Sequence, residues 1–258
     1  TKERIAPVDF YLDMLEQEDM YKKGYAARML AEYGATECIE NIAKLIDTKS
    51  LNRNLKYNAA MALSMLGAKE ETIKFIIDIQ DDRKYSARVI MELISIYKGD
   101  LGQMVEELLK QCGPYMQAVI VKSAAKYKLE NLKPFLLEGI TSTSNDLKNA
   151  CTRAVGEFAD PKYLHKLLIL HNDKNWVVRC SAIRGLGKIG SQEAIQAIEE
   201  SMNDQEWWVR QTAAQVLIKI DSSLKSVEKV LHGYDKYAAD ALKYSLYKTY
   251  DVRGVKKE

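Results

Sequence analysis

The chain has 258 residues, of which 47% are hydrophobic and 29% charged, with four prolines and a formal net charge of +2. That apolar content is enough to bury a large core and excludes a disordered chain. Basic and acidic residues stand at 19 against 19 over residues 1–129 and 19 against 17 over the rest, so neither half is a basic module for nucleic acid or anionic lipid.

In chain order, residues 1–20 predict a capping helix, after which a small or apolar residue recurs at Ala26, Ala59, Val89, Ile120, Cys151, Ala182, Ala213 and Leu242, at intervals of 29 to 33 residues. Four residues beyond each stand Leu30, Leu63, Leu93, Ala124, Val155, Leu186, Leu217 and Leu246. Seven beyond stand Tyr33, Leu66, Ile96, Tyr127, Phe158, Ile189, Ile220 and Thr249. Spacing of i, i+4, i+7 is one stripe of an α-helix. A second stripe follows each first one, as Ala194, Ile195, Ile198 and Met202 do, so each unit is a pair of helices.

Breaks within the pairs are marked by Gly34, Gly67 and Gly190, which suit the left-handed conformation that ends a helix. Ser191 then reads as an N-cap, and Asp160-Pro161 does the same job one repeat earlier. The repetition is plainest where NWVVRCSAIRGLGKIG (175–190) is followed by EWWVRQTAAQVLIKID (206–221). No segment shows sustained period-two alternation. The expected fold is all-α: a right-handed α-solenoid, or superhelix, of about eight stacked helical hairpins. It forms one domain over 1–258, with a cap over 1–20, seven repeats over 21–233 and a tyrosine-rich cap over 234–258. A lone hairpin cannot bury both its faces, so each stacks on its neighbours.

The run of Asp173, Val178, Arg179, Ala182, Leu186 and Gly187, met again by Asp204, Val209, Arg210, Ala213 and Leu217, resembles the HEAT-repeat family, in particular the short HEAT-like units of phycobilisome lyases. The resemblance implies a ladder of Asp–Arg pairs between adjacent turns. Only two repeats carry both partners, since Lys23, Lys56, Ser86, Gln117 and Lys148 occupy the Arg position elsewhere. It names a fold with many functions and no chemistry of its own.

Cys38, Cys112, Cys151 and Cys180 stand far apart without a CxxC pair, which fits buried thiols in a reducing compartment. With no sequon, signal peptide or apolar run of about 18 residues, a cytoplasmic location is expected. The first residue is Thr1, not Met, which leaves room for an anchor or further domain upstream.

Gly185 to Gly190 spells GxGxxG, but no strand precedes it, so helix packing accounts for it better than a dinucleotide does. His165, His171 and His232 are too few and too badly spaced for zinc, and no metal or cofactor is expected. Paired acids such as Glu70-Glu71 and Glu199-Glu200 point about 100° apart on a helix and read as solvated faces. Trp176, Trp207 and Trp208 precede the Val-Arg pairs, either filling the turn between repeats or forming an aromatic hot spot. Tyr234, Tyr237, Tyr244, Tyr247 and Tyr250 suit a terminal cap or a docking end.

If the second helices line the concave face, as the resemblance implies, that face presents Glu40, Lys74, Gln103, Pro134, His165 and Gln196, with Glu107, Glu138 and Glu200 beside them. This mixed, mildly acidic set suits a protein or peptide and not a nucleic acid. The expectation is a non-enzymatic scaffold binding a protein partner on its concave face or C-terminal end, without inserting into a membrane. Two alternatives stand beside it: an enzyme or enzyme subunit of bilin-lyase or DNA-glycosylase type, and a spacer within a larger, membrane-anchored protein.

Overall fold

The computed structural model describes residues 6–47, 52–80, 87–220 and 225–249. Ser86, Tyr250 and the outermost residues of both expected caps lie outside them. The chain forms two compact units, one ending at Ala124 and the other beginning at Ala125. The first unit contains α1 (Ala6–Leu15), α2 (Met20–Glu32), α3 (Ile39–Asp47), α4 (Arg53–Leu66), α5 (Lys69–Ile79), α6 (Ala87–Ile96), α7 (Leu101–Gln111) and α8 (Pro114–Ala124). The second contains α9 (Lys133–Gly139), α10 (Asn145–Phe158), α11 (Leu164–Leu170), α12 (Trp176–Ile189), α13 (Gln192–Glu200), α14 (Trp207–Ile220), α15 (Lys225–Leu231) and α16 (Lys236–Thr249). All regular structure among the described residues is helical, and the fold is an α-solenoid.

Each recurring anchor falls on an even-numbered helix, and those helices pack on one another in order, α2 to α8 in the first unit and α10 to α16 in the second. The odd-numbered helices make a second layer, in which α5 packs on α7, and α11 on α13 and then α15. Ala26, Ala59, Ile120, Cys151, Ala182, Ala213 and Leu242 are completely buried between these layers. Small side chains suit that place because the even helices crowd together there.

Two parts of the expected stripe are corrected. Val89 is only half-buried, and its neighbour Ile90 takes the core place beside Leu93 and Ile94, so the buried stripe of α6 is turned by one residue. The third row lies at the margin of the core: Tyr33 and Tyr127 are exposed, while Leu66, Ile96, Phe158, Ile189 and Ile220 are half-buried, and the Thr249 side chain lies outside the described residues. These residues occupy the last turn of a helix or the turn after it, where the neighbouring layer no longer covers them.

The punctuation is as the sequence indicates. Gly34, Gly67 and Gly190 have φ of 67°, 73° and 66°. Ser191 Oγ accepts from the Ala194 amide at 3.2 Å, and Asp160 Oδ1 accepts from the Lys162 amide at 2.9 Å. Ala159 makes the left-handed turn before Asp160 with φ of 53°, a job for which the sequence offers no glycine.

The GxGxxG run is a packing device. A Cβ on Gly156 would stand 2.7 Å from Gly185 Cα, and one on Gly187 would stand 2.2 Å from Val216 Cγ1. Gly185 and Gly187 thus bring α12 against α10 and α14, and Gly190 ends the helix.

Candidate functional site

The edge where the odd-numbered helices turn into the even-numbered ones is held by charge. Arg179 grips Asp204 with two bonds, Nε to Oδ2 at 2.7 Å and NH2 to Oδ1 at 2.8 Å. Its NH1 donates to the Asp173 carbonyl at 2.9 Å, so one guanidinium joins three successive segments. Lys148 supplies the preceding rung, with Nζ 3.1 Å from Asp173 Oδ2, and the ladder is therefore longer than the Arg positions indicate. Arg210 ends it: NH1 donates to the carbonyls of Asp204 and Gln205 at 2.7 and 3.0 Å, while the guanidinium lies 5.6 Å from the Tyr237 ring centre.

This ladder fixes the tryptophans. Asp204 Oδ1 also accepts from the Glu206 amide at 2.8 Å, setting the start of α14, and Cys180 Sγ donates to the Trp208 carbonyl at 3.6 Å. Trp176 opens α12, and Trp207 and Trp208 open α14. Trp176 and Trp208 lie near-parallel, 19° apart with centroids at 6.5 Å, and Trp207 meets Trp208 edge-on at 4.7 Å. The partner of Trp176 is thus Trp208, not its positional equivalent Trp207. Stacking does not bury the rings: Trp176, Trp207 and Trp208 stay 38%, 44% and 57% exposed. The three indoles form one cluster, held in contact and open to solvent.

The expected groove residues lie on the odd-numbered helices, distributed between the two units. In the first unit, Lys74 and Glu107 share a hollow of about 280 Å³ with Glu70, Asp78 and Gln111. Lys74 is paired to Asp47 at 2.7 Å, which raises the lysine pKa, and Glu107 is paired to Lys69 at 3.3 Å. Glu40 and Gln103 are exposed outside that hollow. In the second unit, Gln196 and Glu200 line a cavity of about 650 Å³ with Met202, Lys229, Tyr234 and Asp235. Glu138 and His165 are exposed and do not line it. Lys229 bonds Glu199 at 2.6 Å across its wall, which raises the lysine pKa. Gln196 and Glu200 of the expected groove set and Tyr234 of the tyrosine-rich end, separate in the sequence, line this one cavity.

A second aromatic group was not singled out by sequence reasoning. Tyr11 sits 6.0 Å from both Tyr25 and Tyr33, with Phe10 against it at 5.2 Å. The signal was present, since Phe10, Tyr11, Tyr21, Tyr25 and Tyr33 crowd the start of the chain. A hydrogen bond with Tyr25 raises the Tyr11 pKa.

All four cysteines are buried and free. Burial pushes the Cys151 thiol up to about 12 and raises those of Cys112 and Cys180; such thiols are poor nucleophiles. Among the described residues no three His, Cys, Asp or Glu side chains are grouped so as to hold a metal ion, and no helix is long and apolar enough to cross a membrane.

Stacked helical hairpins with an inter-turn ladder define a class, the α-solenoid repeat proteins. Residues 8–94 and 164–247, more than half of the chain, match the family model for HEAT repeats, and the chain belongs to the HEAT-repeat family. No curated protein sequence matches it. Solved structures of similar fold include an engineered protein (18% identity, TM-score 0.43, 94% of this chain and 78% of that one). Another is the CpcE–CpcF complex of phycocyanin lyase from a Nostoc species (17%, 0.41, 95% and 97%). A third is human deoxyhypusine hydroxylase in complex with glycerol (15%, 0.40, 83% and 84%).

Proposed function

We propose that the chain is a non-enzymatic HEAT-repeat scaffold that binds a protein partner, and that the tryptophans of its second unit are the anchor. The observation that carries this reading is the Trp176–Trp208–Trp207 cluster, in which three adjacent indoles remain more than a third exposed. Exposed indole held rigid by the surrounding fold loses little entropy on binding and concentrates interface energy. The ladder supplies that rigidity, because Arg179 and Asp204 fix the start of α14, from which Trp207 and Trp208 project.

The cavity lined by Gln196, Glu200 and Tyr234 favours a second docking place on the odd-numbered layer. One experiment tests both: capture from a lysate of the source on wild-type chain, a Trp207→Ala/Trp208→Ala variant and a Glu200→Lys variant, each checked for native helicity. A stoichiometric protein lost on the tryptophan variant and kept on Glu200→Lys is the expected result. Loss on Glu200→Lys alone moves the site to the cavity. A partner retained by both variants removes both surfaces.

A further inference from the structure

On the even-numbered helices of the second unit, exposed cations outnumber acids. The outward stripes of its even-numbered helices set Arg153, Arg184, Lys188, Lys219, Lys243 and Lys248 against Asp146, Glu157 and Asp240. The odd-numbered layer is close to balance, exposing Glu138, Glu193, Glu200 and Glu228 beside Lys166, Lys225 and Lys229. The repeat spaces the cations of the even-numbered helices: Arg153 and Arg184 are one repeat apart, and so are Lys188 and Lys219.

Lys188 is neutralised by Glu157, yet each even-numbered helix of this unit keeps at least one cation with no acid partner among the described residues. Arg153 on α10 and Lys219 on α14 are exposed without a partner among the described residues. Arg184 on α12 reaches only Thr212 Oγ1, at 3.4 Å, and Lys248 on α16 lies 5.4 Å from the Tyr244 ring centre. Two to three helical turns nearer the N-termini of the same helices stand Trp176, Trp208 and exposed Tyr237.

We infer that this face docks an acidic, extended segment of the partner protein, with a carboxylate at every third residue and an apolar residue seated on the Trp176–Trp208 pair. Packed helices lie about 8–10 Å apart, and a polyproline II segment advances about 9 Å over three residues. A segment crossing the helices in that conformation therefore sets successive carboxylates against Arg153 and Arg184, and against Lys219 and Lys248, while the step from Arg184 to Lys219 is longer by one helical turn. The face favours a short acidic segment over a long polyanion. The whole chain carries only +2, whereas charges are screened beyond about 8 Å at physiological salt, so only a ligand confined to this face gains from it.

The inference rests on the scaffold reading and names its ligand. Its test is fluorescence polarisation with a labelled peptide of six Glu-Pro-Pro units, the matching Gln-Pro-Pro peptide and an oligo(dT) of similar length. The expected result is binding of the Glu peptide alone, weakening with salt and reduced about tenfold by Arg184→Glu/Lys219→Glu. No binding at millimolar Glu peptide, or binding indifferent to the charge reversal, overturns the inference. Tighter binding of oligo(dT) also overturns it and assigns the face to nucleic acid. A captured partner lost on Trp207→Ala/Trp208→Ala but kept on the charge reversal would leave the scaffold reading standing while removing this one.

Discussion

Cys151 shows how far one residue can be read and where reading stops. Its place in the anchor row marks it as core, and it is completely buried; its thiol chemistry follows from that burial alone. In the folded chain the thiol stays protonated up to about 12, against an ordinary 9.0. The unfolded chain therefore sheds this proton first, so the contribution to stability is whole below pH 9 and is lost as pH rises from 9 toward 12. The slope is about 1.4 kcal/mol per pH unit in that window. Cys151→Ala should flatten it, since the same row carries Ala182 and Ala213 and the substitution fits. Urea unfolding of both forms at pH 8, 9.5 and 10.5 measures the two slopes; equal slopes would exclude Cys151 as the source. Other residues were less legible. Lys148 carries a rung of the ladder from a position where the family pattern has Arg, because a lysine can reach the carboxylate with one bond where arginine makes two. Arg210 matches the pattern yet turns to Tyr237 instead.

At the scale of the helices, periodicity supplied most of the fold, because burial against two neighbours forces small and aliphatic residues onto one recurring stripe. What it could not supply was the rotation of α6 that exchanges Val89 for Ile90, or the place of the third row at the margin of the core. Both depend on how far a neighbouring helix extends, which no single helix encodes. Helix approach was legible only as a motif with the wrong name: GxGxxG. Its first glycine sits opposite Gly156, with backbone against backbone. A methyl at 156 would have no flexible side chain to displace, so Gly156→Ala should cost about 3 kcal/mol through forced separation of α10 and α12. Gly113→Ala is the control, since a Cβ there meets nothing within 4 Å; it should change stability by less than about 1 kcal/mol. Denaturant midpoints compare the two, and similar losses would show that α10 and α12 can part at little cost. The candidate site was legible in composition and not in arrangement. Three tryptophans are obvious in the sequence, but the pairing of Trp176 with Trp208 and the run of cations across the even-numbered helices appear only once successive helices stand side by side.

For the whole molecule, a repeat array stabilised by neighbour contacts should tolerate loss of one complete unit from its interior. Deletion of residues 176–206 joins Asn175 to Trp207, the two residues that flank one 31-residue period, and the contacts it removes have substitutes in place. Gly187 accepts the Val216 side chain at the close approach of α12 and α14; after deletion Gly156, one repeat earlier, would accept it from α10. Asn149 Oδ1 accepts from Ser181 Oγ at 2.7 Å; Thr212, one repeat later, would offer it a hydroxyl. Lys148 keeps Asp173, and Arg210 would meet the Asp173 carbonyl as Arg179 does now. The shortened chain should therefore fold cooperatively with the same helical signal per residue, at a midpoint lowered by the loss of one interface. Circular dichroism and urea titration decide it. A molten or unfolded product would mean that the contacts of this repeat are not interchangeable, and that the second unit folds as a single core instead of a stack.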